Sequence, residues 1–368
     1  MITPSRMKPE PAIARVMICD DSAVIRGALT RMLEAEADIR VVARAPNGQA
    51  ALDELTRLAK AGQAADVVVL DIEMPVMDGM AALPLLLRAD PGLRVIMTST
   101  LTTRGADIAM RALRLGAADY VPKPSTQAIG DDSFRRELLA KVRGLARLRR
   151  PSPAPLAARP PLPPHRAGAR QPAQLLAIGS STGGPQALFA LVQALGPALR
   201  VPVVLTQHMP ATFTPILAEH LTRLGAMPCT EARDGERLEA GHIYLAPGDY
   251  HLLVEGSPGA LRVRLTQDKP ENFCRPSVDP MLRSAAAACA GRVLVVMLTG
   301  MGHDGRDGTK LVVESGGAAI AQDEASSVVW GMPGAIAQAG LCQHVLPLPA
   351  IARQILALLT PASAGAAA

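Results

Sequence analysis

Residues 66–89 read DVVVLDIEMPVMDGMAALPLLLRA. A β-rich run ends in the carboxylate Asp71, a turn follows, and a helical pattern opens at Gly79. The same alternation extends on both sides. Strands are predicted over 14–19, 39–45, 66–72, 94–99 and 119–121, and helices over 22–36, 49–61, 79–89, 104–115 and 133–149. Alternation at this spacing implies βαβ units, a parallel sheet and right-handed crossovers. Length and count predict a flavodoxin-like (βα)5 α/β domain with strand order 2-1-3-4-5.

Further along, residues 148–173 read LRRPSPAPLAARPPLPPHRAGARQPA, with eight prolines between Pro151 and Pro172. A run with so few large apolar residues cannot build a core and is expected to be extended and polyproline-like. It divides the chain into a first domain over 13–130, a helix and proline-rich linker over 131–173, and a second domain over 174–360. The second domain alternates less cleanly. Strands are expected over 174–178, 201–206, 292–299 and 318–322, with several short strands over 228–267, including 242–246 and 261–266, and helices over 185–195, 213–224, 277–290 and 309–314, with two closing helices. The pattern reads as a mainly parallel, three-layer α/β domain carrying a β-hairpin insertion.

Composition narrows the function classes. The chain has 368 residues, 49% of them apolar and 19% charged, which is ample for packed cores and too little charge for global disorder. A net charge of +5 is dilute, and aromatics make up only 2%, so base stacking on single-stranded nucleic acid is disfavoured. Duplex binding lacks a recognisable helix-turn-helix or basic region. The five cysteines, Cys19, Cys229, Cys274, Cys289 and Cys342, are widely spaced without a C-x-x-C, which argues against a disulfide framework or zinc ribbon. No spanning apolar run and no secretory signal is seen, so a soluble cytoplasmic protein without membrane insertion is expected.

In a parallel sheet, the loops after the strand C-termini gather on one edge, where ligands bind. Asp20 and Asp21 end the first predicted strand, Asp71 the third, Ser99 the fourth and Lys123 the fifth. Three converging carboxylates repel one another unless a cation joins them, and Mg²⁺ with oxygen ligands is the natural one. A carboxylate beside Mg²⁺ and a lysine can accept a phosphoryl group. The runs DDSAVIR (20–26), LDIEMPVMDG (70–79), VIMTST (95–100) and DYVPKP (119–124) resemble the signature of response-regulator receiver domains. The resemblance implies Asp71 as phosphoacceptor and a histidine kinase as phosphodonor. It also implies a Mg²⁺ site of Asp20, Asp21, Asp71 and the Glu73 backbone carbonyl, a switch pair of Ser99 and Tyr120, and a phosphoryl contact from Lys123.

After the linker, LLAIGSSTGGPQAL (175–188) carries a strand into a glycine-rich turn at the start of a helix. Free N–H groups and the positive dipole end there can hold an anion. On the turn alone, a nucleotide site and a nucleophilic serine both remain open, although neither G-x-G-x-x-G nor G-K-[ST] is met. Two more apolar strands run into His208 and into Asp304. A serine hydroxyl becomes a nucleophile when an imidazole takes its proton, and a carboxylate fixes that imidazole. His303, beside Asp304 on one loop, reads as a loop residue.

The runs IGSSTGG (178–184), VLTQHMP (204–210), EARDGERLEAGHIYLAPGDYH (231–251), RPSVDPML (275–282), LTGMGHDG (298–305) and AQDEASSVVWGMP (321–333) resemble the catalytic domain of the chemotaxis protein-glutamate methylesterase family. The resemblance implies Ser181 as nucleophile, His208 as base, Asp304 as orienting carboxylate, and the backbone N–H groups of Thr182 and Met301 as oxyanion donors. Ser180 stands where the family commonly has alanine. The implied substrates are methylated chemotaxis receptors, hydrolysed at γ-glutamyl methyl esters without a cofactor in the esterase site. The family often deamidates receptor glutamines as well. An unphosphorylated receiver is expected to cover the active-site edge. A receiver joined to a nucleotide-binding or adaptor domain, or to a DNA-binding output, is the alternative.

Overall fold

The computed structural model describes residues 13–99, 102–123, 132–149, 172–225 and 227–359. The proline-rich tract from 150 to 171 lies outside them.

The N-terminal elements are β1 (Ala14–Cys19), α1 (Ala23–Glu34), β2 (Ile39–Ala45), α2 (Gly48–Lys60), β3 (Val67–Asp71), α3 (Gly79–Ala89), β4 (Arg94–Ser99), α4 (Thr103–Arg114), β5 (Asp119–Pro122) and α5 (Asp132–Arg149). The strands form a sheet in the order β2-β1-β3-β4-β5, and every pair is parallel. This is the expected topology. Side chains alternate across the sheet as the two-residue strand period requires. Val16, Ile18, Val67 and Val69 pack with Leu29, Leu138 and Val142 of α1 and α5. Met17, Cys19, Val68 and Leu70 pack on the opposite face with Leu55, Leu83 and Met110 of α2, α3 and α4. Four helices begin after a side-chain cap: Ser22, Asn47, Asp78 and Thr102 each accept from the backbone N–H three residues on. Each cap of this kind contributes about 0.5–2 kcal/mol.

The C-terminal elements are β6 (Leu175–Ser180), α6 (Gly184–Leu195), β7 (Val203–Gln207), α7 (Thr214–Leu224), β8 (Cys229–Glu231), β9 (Ile243–Leu245), β10 (His251–Glu255), β11 (Arg262–Thr266), α8 (Val278–Ala288), β12 (Val293–Met297), α9 (Arg306–Glu314), β13 (Ala318–Gln322), α10 (Met332–Gln338), β14 (His344–Leu346) and α11 (Leu348–Leu359). Seven strands form a parallel sheet in the order β14-β13-β12-β6-β7-β9-β8. One face packs with Leu188, Leu217 and Ile355 of α6, α7 and α11, the other with Met281, Val312 and Ile336 of α8, α9 and α10. These are the three expected layers. The antiparallel pair β10–β11 forms a separate two-stranded sheet, the expected hairpin insertion. One strand was not expected: β14 sits between the two closing helices, and its three half-buried residues are too few to register as a β run.

The two sheets share a core. The cluster holding Met110 and Leu113 of α4 also holds Leu188 of α6 and Phe213 and Leu217 of the α7 region. Tyr120 of β5 stacks on Phe213, with ring centroids 4.6 Å apart and planes 13° from parallel. Gln186 of α6 donates through Nε2 to the carbonyls of Leu113, at 2.6 Å, and Ala117. Arg147 of α5 donates to the Ser327 carbonyl at 2.8 Å. At Gly144 a Cβ would lie 2.1 Å from the Val328 carbonyl oxygen, so α5 approaches that loop as only glycine allows. Among the described residues, no helix is long and apolar enough to cross a membrane.

Candidate functional site

β12, β6 and β7 are neighbours at the middle of the seven-stranded sheet. The chain runs from β6 outward on one side and returns to β12 on the other, so strand order reverses between β6 and β12. The loops after the three strands open into a cleft of about 570 Å³ that is lined by Ser181, Thr182, His208, Cys274, Met301 and Asp304, among others. The structure therefore brings the sequence-predicted serine, histidine and carboxylate to one rim.

The two adjacent serines differ. Ser180 is fully buried, and its hydroxyl donates to Gln207 Oε1 at 2.7 Å. Gln207 Nε2 in turn donates to the Ser181 carbonyl at 3.0 Å and the His208 carbonyl at 3.1 Å, bracing both loops. Ser181 is half-buried and faces the cleft. Gly183 closes the turn with φ 75°, where a Cβ would lie 2.5 Å from the Val328 side chain.

His208 Nε2 meets Asp304 Oδ2 at 2.7 Å. The buried Asp304 also accepts from the Val278 N–H at 2.7 Å, the Asp279 N–H at 3.1 Å, the Ser277 hydroxyl at 2.7 Å and Asn272 Nδ2 at 2.9 Å. Two of these donors open α8, whose positive end favours a carboxylate. Burial alone would raise the Asp304 pKa, but His208, Val278 and Ser277 hold it well below the usual carboxylate range. Burial likewise pushes His208 down, and the Asp304 carboxylate together with the neighbouring Cys274 outweighs it, holding the imidazole above its ordinary value. Nδ1 is the ring nitrogen left for a nucleophile. It faces Cys274 Sγ at 3.5 Å, and among the described residues no hydrogen bond joins it to Ser181. The N–H groups of Thr182 and Met301 donate to no protein acceptor among the described residues. His303 is exposed and does not pair with Asp304.

The N-terminal sheet supplies a wall of the same cleft through Asp119, Tyr120 and the α5 residues Arg136 and Glu137. Asp119 Oδ2 accepts from the Gly183 N–H at 3.0 Å and lies 3.2 Å from Lys141 Nζ, both side chains being buried. The serine-bearing turn is thus hydrogen-bonded to the other domain. Tyr120, an expected switch residue, is buried in that junction.

At the other end of β5, Lys123 Nζ lies 2.6 Å from Asp71 Oδ2 and 3.2 Å from Asp20 Oδ2. Oxygens of Asp20, Asp21 and Asp71 gather within 4.8 Å of one another. Burial pushes Asp71 up to about 6 against the pull of Lys123. Asp20 Oδ2 is buried and has the Lys123 ammonium at 3.2 Å but no well-directed hydrogen bond, and three carboxylates share that one lysine, a situation a hard cation relieves, so the donor set fits Mg²⁺. Glu73 lies two residues past Asp71 and lines a groove with Asp21. Ser99 is the last residue of β4, and its side chain lies outside what is described.

Several residues of the site had not been singled out from the sequence: Gln207, Asn272, Cys274, Ser277, Asp279 and Asp119. Gln207, Ser277, Asp279 and Asp119 stand within the quoted runs and Cys274 stands beside one, so their neighbourhood was marked. The contact of Asp119 with Gly183 had no signal, because the two residues belong to different domains.

Two family models match the chain: CheB methylesterase over 176–355 and response regulator receiver domain over 16–130. A protein-glutamate methylesterase/protein-glutamine glutaminase 1 of Paramagnetospirillum magneticum is 53% identical, over 95% of this chain and 98% of its own length. A protein-glutamate methylesterase/protein-glutamine glutaminase of Azospirillum brasilense is 54% identical, over 92% of this chain and 90% of its own. Among solved structures, the catalytic domain of the Thermotoga maritima CheB methylesterase shares 38% identity, covering 50% of this chain and 98% of that one with a TM-score of 0.49.

Proposed function

This chain belongs to the CheB methylesterase family with a receiver domain, and from that premise we propose that it hydrolyses γ-glutamyl methyl esters on methylated chemotaxis receptors under control of receiver phosphorylation. Residues 13–130 are taken as the receiver, 131–173 as the connection and 174–360 as the esterase domain. The observation that carries the reading is the convergence of Ser181, His208 and Asp304 on one cleft, with His208 held at 2.7 Å by a buried carboxylate.

In the proposed reaction, Ser181 Oγ attacks the ester carbonyl as His208 takes its proton. The tetrahedral oxyanion lies against the N–H groups of Thr182 and Met301. Methanol leaves with the proton from His208, and an acyl-enzyme remains on Ser181. Water then gives a proton to His208 as its oxygen attacks the acyl carbon, the bond to Ser181 Oγ breaks, and His208 returns the proton to Oγ as glutamate leaves. An amide in place of the ester follows the same course with ammonia leaving, which makes receptor glutamines a second substrate. A fluorophosphonate reagent is expected to label Ser181 and not Ser180. Nucleotide binding at 179–184 without such labelling would favour the adaptor alternative.

The base must be neutral to act. Since His208 is held above its ordinary 6.5, kcat/KM is expected to rise with pH through an inflection above that value. Asp304→Asn leaves burial as the main influence, so the inflection moves down while kcat falls by about four orders of magnitude. A pH–rate profile of both proteins checks this.

Phosphorylation is assigned to Asp71, with a histidine kinase as donor and Lys123 and Ser99 drawn to the phosphoryl oxygens. Asp20, Asp21, Asp71 and the Glu73 carbonyl would hold Mg²⁺, which would supply charge neutralisation during phosphoryl transfer. Asp20→Asn is expected to weaken Mg²⁺ binding by more than the about 10–100-fold that losing an outer-shell partner costs, measured by titration calorimetry. Support for control comes from the docked state. Asp119 bonds the turn that carries Ser181, and Tyr120 stacks on Phe213. A shift of β4 and β5 toward a phosphoryl group acts on both contacts.

A further inference from the structure

Between Glu271 and Cys274 the chain makes a tight turn closed by reciprocal backbone hydrogen bonds at 3.1 and 2.9 Å. Its two central residues, Asn272 and Phe273, have φ of 53° and 63°. Left-handed φ at both positions is the pattern of a type I′ turn, for which Asn-Gly is the favoured pair. Asn suits the first position. Phenylalanine at the second is out of place, since a bulky side chain is disfavoured at positive φ. Nor does the ring gain anything inside the protein, because Phe273 is 98% exposed.

The turn is nonetheless held firmly, and held by the site. Asn272 Nδ2 donates to Asp304 Oδ1 and to Asp279 Oδ2, each at 2.9 Å. Cys274 Sγ lies 3.5 Å from His208 Nδ1. The Glu271 carboxylate receives two hydrogen bonds from Arg283, at 2.5 and 2.6 Å. The turn therefore sets the backbone of Phe273 at a fixed place on the lip of the cleft. Exposed Met301 lies on the lip as well, and the receiver leaves Phe273 uncovered. Strained backbone and an unburied aromatic at the mouth of a site point to a partner that buries the ring, because such outliers persist where function requires them and aromatic anchors dominate binding surfaces.

We propose that Phe273 is the substrate-docking residue: it buries its ring in an apolar seam of the methylated receptor beside the esterified glutamate, and so sets affinity and receptor choice. This rests on the methylesterase reading above. In this arrangement the ring contacts the receptor surface around the ester, while the ester itself meets Ser181 in the cleft.

The test uses the full-length chain and methylated receptor. Phe273→Gly suits the turn better than phenylalanine does, so the variant is expected to fold and to unfold at a higher temperature. Its KM for receptor is expected to rise about ten- to hundredfold, the worth of one buried aromatic ring, with kcat within about twofold on the same basis. Phe273→Leu, which keeps an apolar side chain, is expected to restore most of the affinity. An unchanged KM in Phe273→Gly, or a loss of kcat with a lowered unfolding temperature, overturns the proposal in favour of a structural role. Ser181→Ala in the same assay tests the underlying reading separately: continued methanol release from it would remove the esterase assignment whatever Phe273 does.

Discussion

Replacing Ser181 by alanine is expected to lower methanol release from methylated receptor by about five to six orders of magnitude, the scale on which a serine triad fails when one of its acting members is removed. The fold should be unaffected. Ser181 is half-buried, and its hydroxyl makes no hydrogen bond to the protein among the described residues. The neighbouring substitution separates the two serines. Ser180→Ala strands the buried Gln207 Oε1, a loss of about 1–3 kcal/mol, and loosens the brace on the Ser181 and His208 carbonyls. It should lower the unfolding temperature and retain most of the activity. The opposite pattern, an inactive Ser180→Ala beside an active Ser181→Ala, would assign the nucleophile to Ser180. Methanol release and thermal unfolding followed by circular dichroism read both variants.

The second large effect concerns the junction between the domains. Deleting residues 1–150 is expected to raise the activity of the unphosphorylated enzyme about tenfold, within the about 5–150-fold that couplings of this kind span, and to make it indifferent to a phosphodonor. The docked receiver walls the cleft with Asp119, Tyr120, Arg136 and Glu137, and its removal opens that side. The deletion also uncovers the apolar residues that now pack on α4, so a point variant is the cleaner test. Gln186 donates to the carbonyls of Leu113 and Ala117. Gln186→Glu sets an acceptor-only carboxylate against two acceptors, and repulsion should release the receiver with little loss of core. Both proteins should match the phosphorylated full chain in methanol release. If neither exceeds the unphosphorylated full chain, docking is not the brake.

Much of this architecture was legible because it follows from local periodicity. The β-rich runs and intervening helical patterns of the first domain dictate a doubly wound sheet, and the observed order β2-β1-β3-β4-β5 follows from handedness and short connections. Ser181, His208 and Asp304 could be placed for the same reason, each coming soon after a buried strand. What the periodicity does not carry is pairing at long range. Asn272 meets Asp304 across 32 positions and Gly183 meets Asp119 across 64. The first contact depends on a turn with two left-handed residues, the second on how two separately patterned domains dock. β14 escaped for a simpler reason: its residues, His344, Val345 and Leu346, are half-buried and too few to show an alternation.

The most direct measurement is methanol release from methylated receptor by the full-length chain, with Mg²⁺ present, before and after addition of a small phosphodonor. Slow release that rises about tenfold on phosphorylation, and fails to rise in Asp71→Asn, is the result this structure leads to. No methanol under either condition, from a folded protein and a receptor shown to carry the ester, would contradict it.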